Sequence, residues 1–301
     1  LVAYAREYAA AGAPLWALTP QNEPGHAEHA RWDTCYWSAE WQREFVAEYL
    51  GPALAGAGLL DPADPEAGLR LFVFDHNKDE ALATVPVILD DPDAARYASG
   101  IAIHWYAINL GGVADHRAHV LDELGRRYPD HPILHTESSI DLHPDDPVGQ
   151  YWDPENEDWT RGRFTPFSQY AIDIITDLNH GAIGYIEWCM VLSRQGGPNP
   201  YDHVNSAPVL VDPEADTVLY TPLFYLLGHF SKFIRPGAER LGIVAELPDG
   251  VLVTAARNPD GTVAVVVFND NEGSVDFTVA IDGETMSSVI AGDAIQTLVV
   301  D

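Results

Sequence analysis

The stretch Leu15-Trp16-Ala17-Leu18-Thr19-Pro20-Gln21-Asn22-Glu23-Pro24 joins a short apolar run to a polar turn. The apolar run follows Gly12 and Pro14 and precedes Pro20, which is typical of a buried parallel strand. The polar residues then lie at the carboxyl end of that strand, where a barrel of alternating strands and helices carries its functional side chains. Glu23 is therefore a candidate functional residue. Its other interpretation is an ordinary loop carboxylate.

A second stretch, Pro132-Ile133-Leu134-His135-Thr136-Glu137, repeats the pattern of an apolar strand that ends in a carboxylate. Retaining glycoside hydrolysis needs two such groups roughly 5 to 5.5 Å apart, because one protonates the leaving oxygen while the other attacks the anomeric carbon. Each charge also raises the pKa of its neighbour, so one carboxyl stays protonated near neutral pH. The alternative for Glu137 is a carboxylate that accepts hydrogen bonds at a helix N-terminus.

The composition is that of a globular protein with an unusual charge balance. The chain has 301 residues with 47% hydrophobic content, which suffices for one large core or two smaller ones. Its 46 acidic and 16 basic residues give a formal net charge of -30, so nucleic acid is excluded as a partner. An acidic, lysine-poor surface suggests adaptation to high salt, and the alternative is a high-GC genome that replaces lysine with arginine.

Targeting and redox signals are sparse. Cys35 and Cys189 are the only cysteines, which is too few for a disulfide framework. The most hydrophobic segment, 181–192, contains Glu187, so no membrane span is predicted. The chain starts at Leu1 without an initiator methionine, a basic segment or a cleavage site, so its localisation stays open and any signal peptide would lie upstream.

The pattern of an apolar run, a polar end and a helix-like segment recurs along the chain. The predicted strands lie at 15–19, 69–74, 100–103, 132–136 and 181–186. A helix is predicted at about 38–54, where Trp41, Phe45 and Tyr49 recur on one face. Strands that alternate with helices indicate parallel βαβ units.

After about residue 240 the pattern changes to alternating, β-branched runs separated by turns. Predicted strands lie at 251–254, 262–268, 275–281 and 295–300 within an all-β module of about five strands. The sequence therefore predicts a barrel domain over 1–238 and a β-sandwich-like domain over 239–301.

Taken together, these motifs resemble glycoside hydrolase family 30, and within it the glucosylceramidase-like branch. The resemblance runs nearly from end to end. It rests on Thr19-Pro-Gln-Asn-Glu-Pro24, Gly100-Ile-Ala-Ile-His-Trp-Tyr106, Leu134-His-Thr-Glu-Ser138, Gly184-Tyr-Ile-Glu-Trp188, Gln195-Gly-Gly-Pro-Asn199 and Phe224-Tyr-Leu-Leu-Gly-His-Phe-Ser-Lys-Phe-Ile-Arg-Pro-Gly237.

The resemblance implies Glu23 as acid/base and Glu137 as nucleophile of a retaining β-glycosidase. It also implies that Asn22 bonds the sugar 2-hydroxyl, that Tyr106 bonds the nucleophile and that Trp188 forms the platform on which the sugar ring stacks. Asn199 would line the pocket, and Asp75 and His104 would lie at strand ends close to it. The aromatic and phenol residues also fit plain core packing, and His104 also fits a satisfied buried histidine.

The implied substrate is a β-glucoside, in an oligosaccharide or a glycolipid. A β-xylosidase and a β-1,6-glucanase of the same family are the alternatives, and so is a catalytically dead carbohydrate-binding remnant. No cofactor and no metal are predicted, because His26, His29 and His76 belong to no recognisable ligand set.

One departure from the family pattern concerns the barrel. Only a helix precedes the strand that carries Glu23, whereas the resemblance implies three earlier βα units. The sequence therefore predicts a partial (β/α)8 TIM barrel that contains about strands 4 to 8. Such a barrel is open at two edges. The expected partner is the missing N-terminal region of the same protein.

Overall fold

The computed structural model describes residues 1–25, 34–64, 67–106, 116–140, 167–198 and 205–301. The chain divides into two compact units. The first comprises Leu1–Ser138 and His180–Glu187, and the second comprises Ser139–Asn179 and Trp188–Asp301.

Helices and strands alternate through the first unit. Its helices are α1 (Val2–Ala10), α2 (Ala39–Glu44), a π-helical turn (Phe45–Leu50), α3 (Gly51–Gly56), α4 (Lys78–Leu89), α5 (Pro92–Ala95) and α6 (Ala118–Arg127). Its strands are β1 (Ala17–Leu18), β2 (Arg70–Asn77), β3 (Gly100–His104), β4 (Ile133–Glu137) and β5 (Ala182–Tyr185).

These five strands form one sheet in sequence order, and every neighbouring pair is parallel. All five predicted strands are present, so the predicted half of a (β/α)8 barrel is confirmed. Within the described residues, β1 and β5 are the two edges of the sheet.

The sheet has a helix-covered face and an opposite face. Leu71, Val73 and Ile101 belong to a large buried cluster together with side chains of α4 and α6. The alternating Phe72 packs instead in a small cluster with Leu134. This alternation follows from the two-residue period of a strand and places the covering helices on one side.

Two elements of the first unit differ in detail from the sequence prediction. Strand β1 is only two residues long. The predicted helix 38–54 is interrupted by the wider π-helical turn Phe45–Leu50. Pro52 lies just after this turn and has no backbone N–H to donate to the carbonyl of Glu48, so regular α-helical bonding cannot pass through this point.

The described residues of the second unit form two helices and three groups of strands. The helices are α7 (Ser168–Asn179) and α8 (Pro222–Ser231). The strands are β6 (Val191–Ser193), β7 (Val209–Asp212), β8 (Thr217–Tyr220), β9 (Glu239–Arg240), β10 (Val251–Arg257), β11 (Val263–Asn269), β12 (Val275–Ile281), β13 (Glu284–Ile290) and β14 (Ala294–Val300).

The C-terminal strands form the predicted sandwich-like module. Strands β14, β11, β10 and β9 pair antiparallel in that order, and β12 pairs with β13 as a hairpin. Val265 of the sheet and Ile290 of the hairpin share one apolar cluster. The hairpin strand β13 was not predicted, because its residues are largely polar and exposed. The sheet of β6, β7 and β8 was also missed, since its strands span only three or four residues.

Among the described residues, no helix combines the length and apolar character needed to cross a lipid bilayer.

Candidate active site

Four polar side chains meet at the carboxyl ends of four neighbouring strands. Asp75 lies near the end of β2, while His104 and Glu137 are the last residues of β3 and β4. Glu23 follows β1 through a short turn. Parallel strands bring their carboxyl ends to one edge, so residues far apart in sequence form one cluster.

His104 lies between the two predicted catalytic carboxylates. Its Nδ1 is 3.4 Å from Glu23 Oε1 and 4.0 Å from Glu137 Oε1. One nitrogen or oxygen from each of the three residues lies within 4.8 Å of the others. The side chains of Glu23 and Glu137 are 11% and 13% exposed, so both are largely withdrawn from water yet reachable.

A β-bulge turns Asp75 toward this cluster. The pairing of β2 with β3 shifts register between Phe74 and His76, and the φ angles of Phe74 and Asp75 are 81° and 56°. The buried Gln42 of α2 bonds the backbone at the bulge: its Oε1 accepts from the Phe74 N–H and its Nε2 donates to the Phe74 carbonyl. Such bulges re-aim side chains beside active sites.

Glu23 also has a left-handed backbone conformation, with φ of 45°. For a non-glycine residue this conformation costs about 1 to 2 kcal/mol. It is held by a hydrogen bond of 2.9 Å from the Glu23 N–H to the Asp75 carbonyl. The same bulged residue therefore fixes the backbone of Glu23 and contributes its own side chain to the cluster.

The carboxylate of Asp75 accepts three side-chain hydrogen bonds. Thr19 donates to Oδ2 at 2.5 Å and Thr136 to Oδ1 at 2.7 Å. The Nε2 of His104 lies 3.1 Å from Oδ1. Asp75 thus ties together residues of β2, β3 and β4 and the segment after β1, and it is almost fully buried.

Burial and charge shift the pKa values in opposite directions. Burial raises the pKa of Glu137 to about 7; His104 opposes this shift, while Glu23 adds to it. Burial alone lowers the pKa of His104, but hydrogen bonds with Asp75 and Glu23 outweigh it and raise that pKa to about 9. Near neutral pH, a protonated imidazole therefore faces the carboxylates.

Two family models match consecutive parts of this chain. The glycosyl hydrolase family 30 TIM-barrel domain matches residues 1–234, and the glycosyl hydrolase family 30 beta sandwich domain matches residues 237–298. The chain belongs to glycoside hydrolase family 30.

Similar proteins carry names from this family. "Putative glucosylceramidase 4" of Caenorhabditis elegans is 34% identical over 98% of this chain and 53% of its own length. "Lysosomal acid glucosylceramidase" of Mus musculus is 32% identical over 91% of this chain and 49% of its own length. A solved endo-beta1,6-glucanase has a TM-score of 0.75 and 26% identity over 98% of this chain and 60% of that one. The family 30 chain thus spans about half the length of these curated relatives.

The other predicted site residues are Tyr106, Asn22, Trp188 and Asn199. The hydroxyl of Tyr106 hydrogen-bonds Glu137 and lowers its pKa. Asn22 is exposed beside Glu23, and Trp188, which belongs to the second unit, is 51% exposed. Asn199 lies outside the described residues. The sugar contacts assigned to these residues stay predictions.

Sequence reasoning missed several residues that support the cluster. Thr19 and Thr136 hold Asp75, and Gln42 holds the bulge. Ser138 donates a hydrogen bond to Glu187 beside the end of β4. Both threonines stand at predicted strand ends, so their position was a usable signal. Gln42 offered none, because a single polar residue on a helix does not indicate its partner.

The donor atoms of Glu23, His104 and Glu137 are also close enough to ligate a metal ion. A protonated His104 disfavours that use, because its positive charge repels a cation and leaves no lone pair for it. The pair of carboxylates with an intervening imidazolium fits proton transfer better.

We expect the raised pKa of Glu137 to make stability depend on pH. Its pKa is 4.5 in the unfolded reference and about 7 in the fold, so the stabilisation from its protonated form is complete below pH 4.5 and lost as pH rises through 7. Linkage puts this loss at about 3 kcal/mol. The unfolding free energy of Glu137→Gln minus that of the original chain should therefore rise between pH 4.5 and about pH 7, because the amide does not ionise. Urea unfolding at several pH values measures it.

The matched control is Glu7→Gln, at an exposed residue. Its unfolding free energy should stay close to that of the original chain at each pH. A Glu137→Gln difference that does not change with pH would contradict the raised pKa.

Proposed function

We propose that this chain carries the catalytic residues of a retaining β-glycosidase of glucosylceramidase type. The observation that carries the proposal is the approach of Glu23 and Glu137, with carboxylate oxygens within 4.8 Å. Retaining enzymes hold these groups roughly 5 to 5.5 Å apart, whereas inverting enzymes need about 6.5 to 9.5 Å to admit a water molecule. The spacing supports direct attack by a carboxylate.

In the first step Glu137 attacks the anomeric carbon while Glu23 protonates the departing glycosidic oxygen. In the second step Glu23 takes a proton from water, which attacks the same carbon and releases Glu137. Reaction requires an ionised Glu137. Burial raises its pKa to about 7, whereas the charge of His104 and then the hydrogen bond from Tyr106 favour the ionised form. Two carboxyl groups this close resist ionising together, which favours keeping one proton for the leaving group.

The names of two similar proteins support a β-glucoside, with glucosylceramide as one form of it. An endo-beta1,6-glucanase of similar structure favours a β-1,6-glucan as the second candidate. The β-xylosidase and the inactive remnant stay as the earlier alternatives. These four candidates are separated by measuring turnover on four substrates: an aryl β-glucoside, glucosylceramide in micelles, a β-1,6-glucan and an aryl β-xyloside.

We also propose that an upstream region of the same protein pairs with the edges of the half-barrel. Trp16, just before β1, is 48% exposed; Ile183 in β5 and Ile186, just after it, are 53% and 47% exposed. Apolar side chains beside unpaired strand edges favour further strands. The domain division at residue 238 is likewise a proposal, supported by the bounds of the two family models.

Product stereochemistry tests the proposed reaction. Hydrolysis of an aryl β-glucoside, followed by proton NMR before mutarotation, should release the β anomer first. The assay uses this chain and any longer protein that contains it. Initial release of the α anomer, or no turnover by either form, would contradict the proposal.

A further inference from the structure

The role of Asp75 differs from that of a sugar-binding residue. Its side chain is 6% exposed. Its carboxylate already contacts Thr19, Thr136 and His104. These contacts use three of the roughly four acceptor positions of a carboxylate, so about one is left for a sugar hydroxyl.

The contact with Asp75 determines how the ring of His104 is used. An ionised carboxylate only accepts hydrogen bonds, so the ring nitrogen beside Asp75, Nε2, must carry a hydrogen. The other nitrogen, Nδ1, is then directed at Glu23 and Glu137. This resembles the general arrangement in which a buried carboxylate fixes the tautomer and orientation of a working histidine.

We propose that Asp75 and His104 form a positioning pair in which Asp75 orients the ring so that one imidazolium charge is shared between Glu23 and Glu137. The positive charge offsets the repulsion between two carboxylates that lie within 4.8 Å of each other. The pair thereby holds the nucleophile and the acid/base at the short spacing that a retaining reaction needs. This inference rests on the proposed function.

The surroundings of His104 support this role. Glu23 faces it from the segment after β1, Asp75 from β2 and Glu137 from β4. Tyr106 meets it edge-on, with ring centroids 6.2 Å apart. Among the described residues, these charged partners are all acidic, so they favour the protonated ring. These contacts raise the pKa of His104 to about 9 although burial opposes the shift.

NMR of the imidazole nitrogens tests the pair without any need for turnover. In the chain with labelled histidine, His104 should carry hydrogen on both ring nitrogens at neutral pH, titrate near 9, and keep its hydrogen on Nε2 above that pH. Asp75→Asn removes the charge, and we expect the pKa of His104 to fall by about 1 to 3 units. Comparison with His104→Gln assigns the signal among the 12 histidines.

Two further variants serve as controls. The exposed Asp93→Asn removes an equal charge outside the cluster and should leave the titration of His104 unchanged. Thr136→Val removes one hydrogen bond to Asp75 but keeps its charge, so the pKa of His104 should shift less than in Asp75→Asn. This variant replaces Asp75→Asn if the latter fails to fold. Titration of His104 near its usual 6.5 in the original chain, or no shift in Asp75→Asn, would overturn the proposal.

Kinetics separates positioning from sugar binding. In a preparation that hydrolyses an aryl β-glucoside, Asp75→Asn should lower kcat by roughly 10-fold or more and displace the pH profile, with KM little changed. A higher KM at unchanged kcat and an unchanged pH profile would instead make Asp75 a substrate-binding residue and overturn the pair. Absence of turnover in the unaltered protein would count against the proposed function, while the NMR titration still decides the pairing.

Discussion

Glu137→Gln should lower kcat by about 10⁴-fold or more on every β-glucoside, because the amide cannot form the covalent intermediate. The variant keeps the size of the side chain and the contact with Tyr106, so substrate binding should change little. The measurement is kcat with aryl β-glucosides in this chain or in a longer protein that includes it. Glu80→Gln, at a residue whose carboxylate is 52% exposed, is the matched control and should stay within a few-fold of the unaltered protein.

Chemical rescue strengthens this test. Glu137→Ala leaves space beside the anomeric carbon, and azide can attack from that side while the aryl group departs. The product is the α-glucosyl azide, because a single displacement inverts the configuration. Rescue that yields the β-glucosyl azide would place the nucleophile elsewhere.

Glu23→Gln should show a loss that depends on the leaving group. General-acid assistance contributes about 10²- to 10⁴-fold, and only poor leaving groups need it. Formation of the glycosyl-enzyme from a dinitrophenyl β-glucoside should therefore be nearly unaffected, whereas its hydrolysis slows because the base is missing. The measurement is a burst of dinitrophenol followed by slow turnover.

Azide also tests the role of Glu23, and the expected product has the anomeric configuration opposite to that from Glu137→Ala. In Glu23→Gln it should attack the glycosyl-enzyme in place of water and give the β-glucosyl azide, because two inversions restore the configuration. Equal losses of burst and turnover on activated and unactivated glucosides would show that Glu23 is not the acid/base.

Local sequence patterns were sufficient to place the two carboxylates on one edge of a sheet. The runs ending at Glu137 and His104 are apolar and short, and they form β4 and β3. Because parallel strands align their ends, finding the strands was nearly equivalent to finding the cluster. The apolar run before Glu23 was equally clear, although only two of its residues pair in the sheet.

The bulge at Asp75 could not be read from sequence. Two successive left-handed residues, Phe74 and Asp75, are unusual in a strand, and no glycine marks them. Gln42, which lies 32 positions before Phe74, hydrogen-bonds both the N–H and the carbonyl of Phe74. Such long-range hydrogen bonds leave no local pattern. For the same reason the contacts of Asp75 and His104 emerged only from the fold.

Trapping of the covalent intermediate identifies the nucleophile without reliance on a variant's lost activity. The protein is incubated with 2-deoxy-2-fluoro-β-glucosyl fluoride, which forms the glycosyl-enzyme quickly but releases it slowly, and is then digested and analysed by mass spectrometry. We expect one added fluoroglucosyl group on the peptide that contains Glu137, and none in Glu137→Gln. A label on Glu23 or on any other residue, or no label in a protein that turns over β-glucosides, would contradict it.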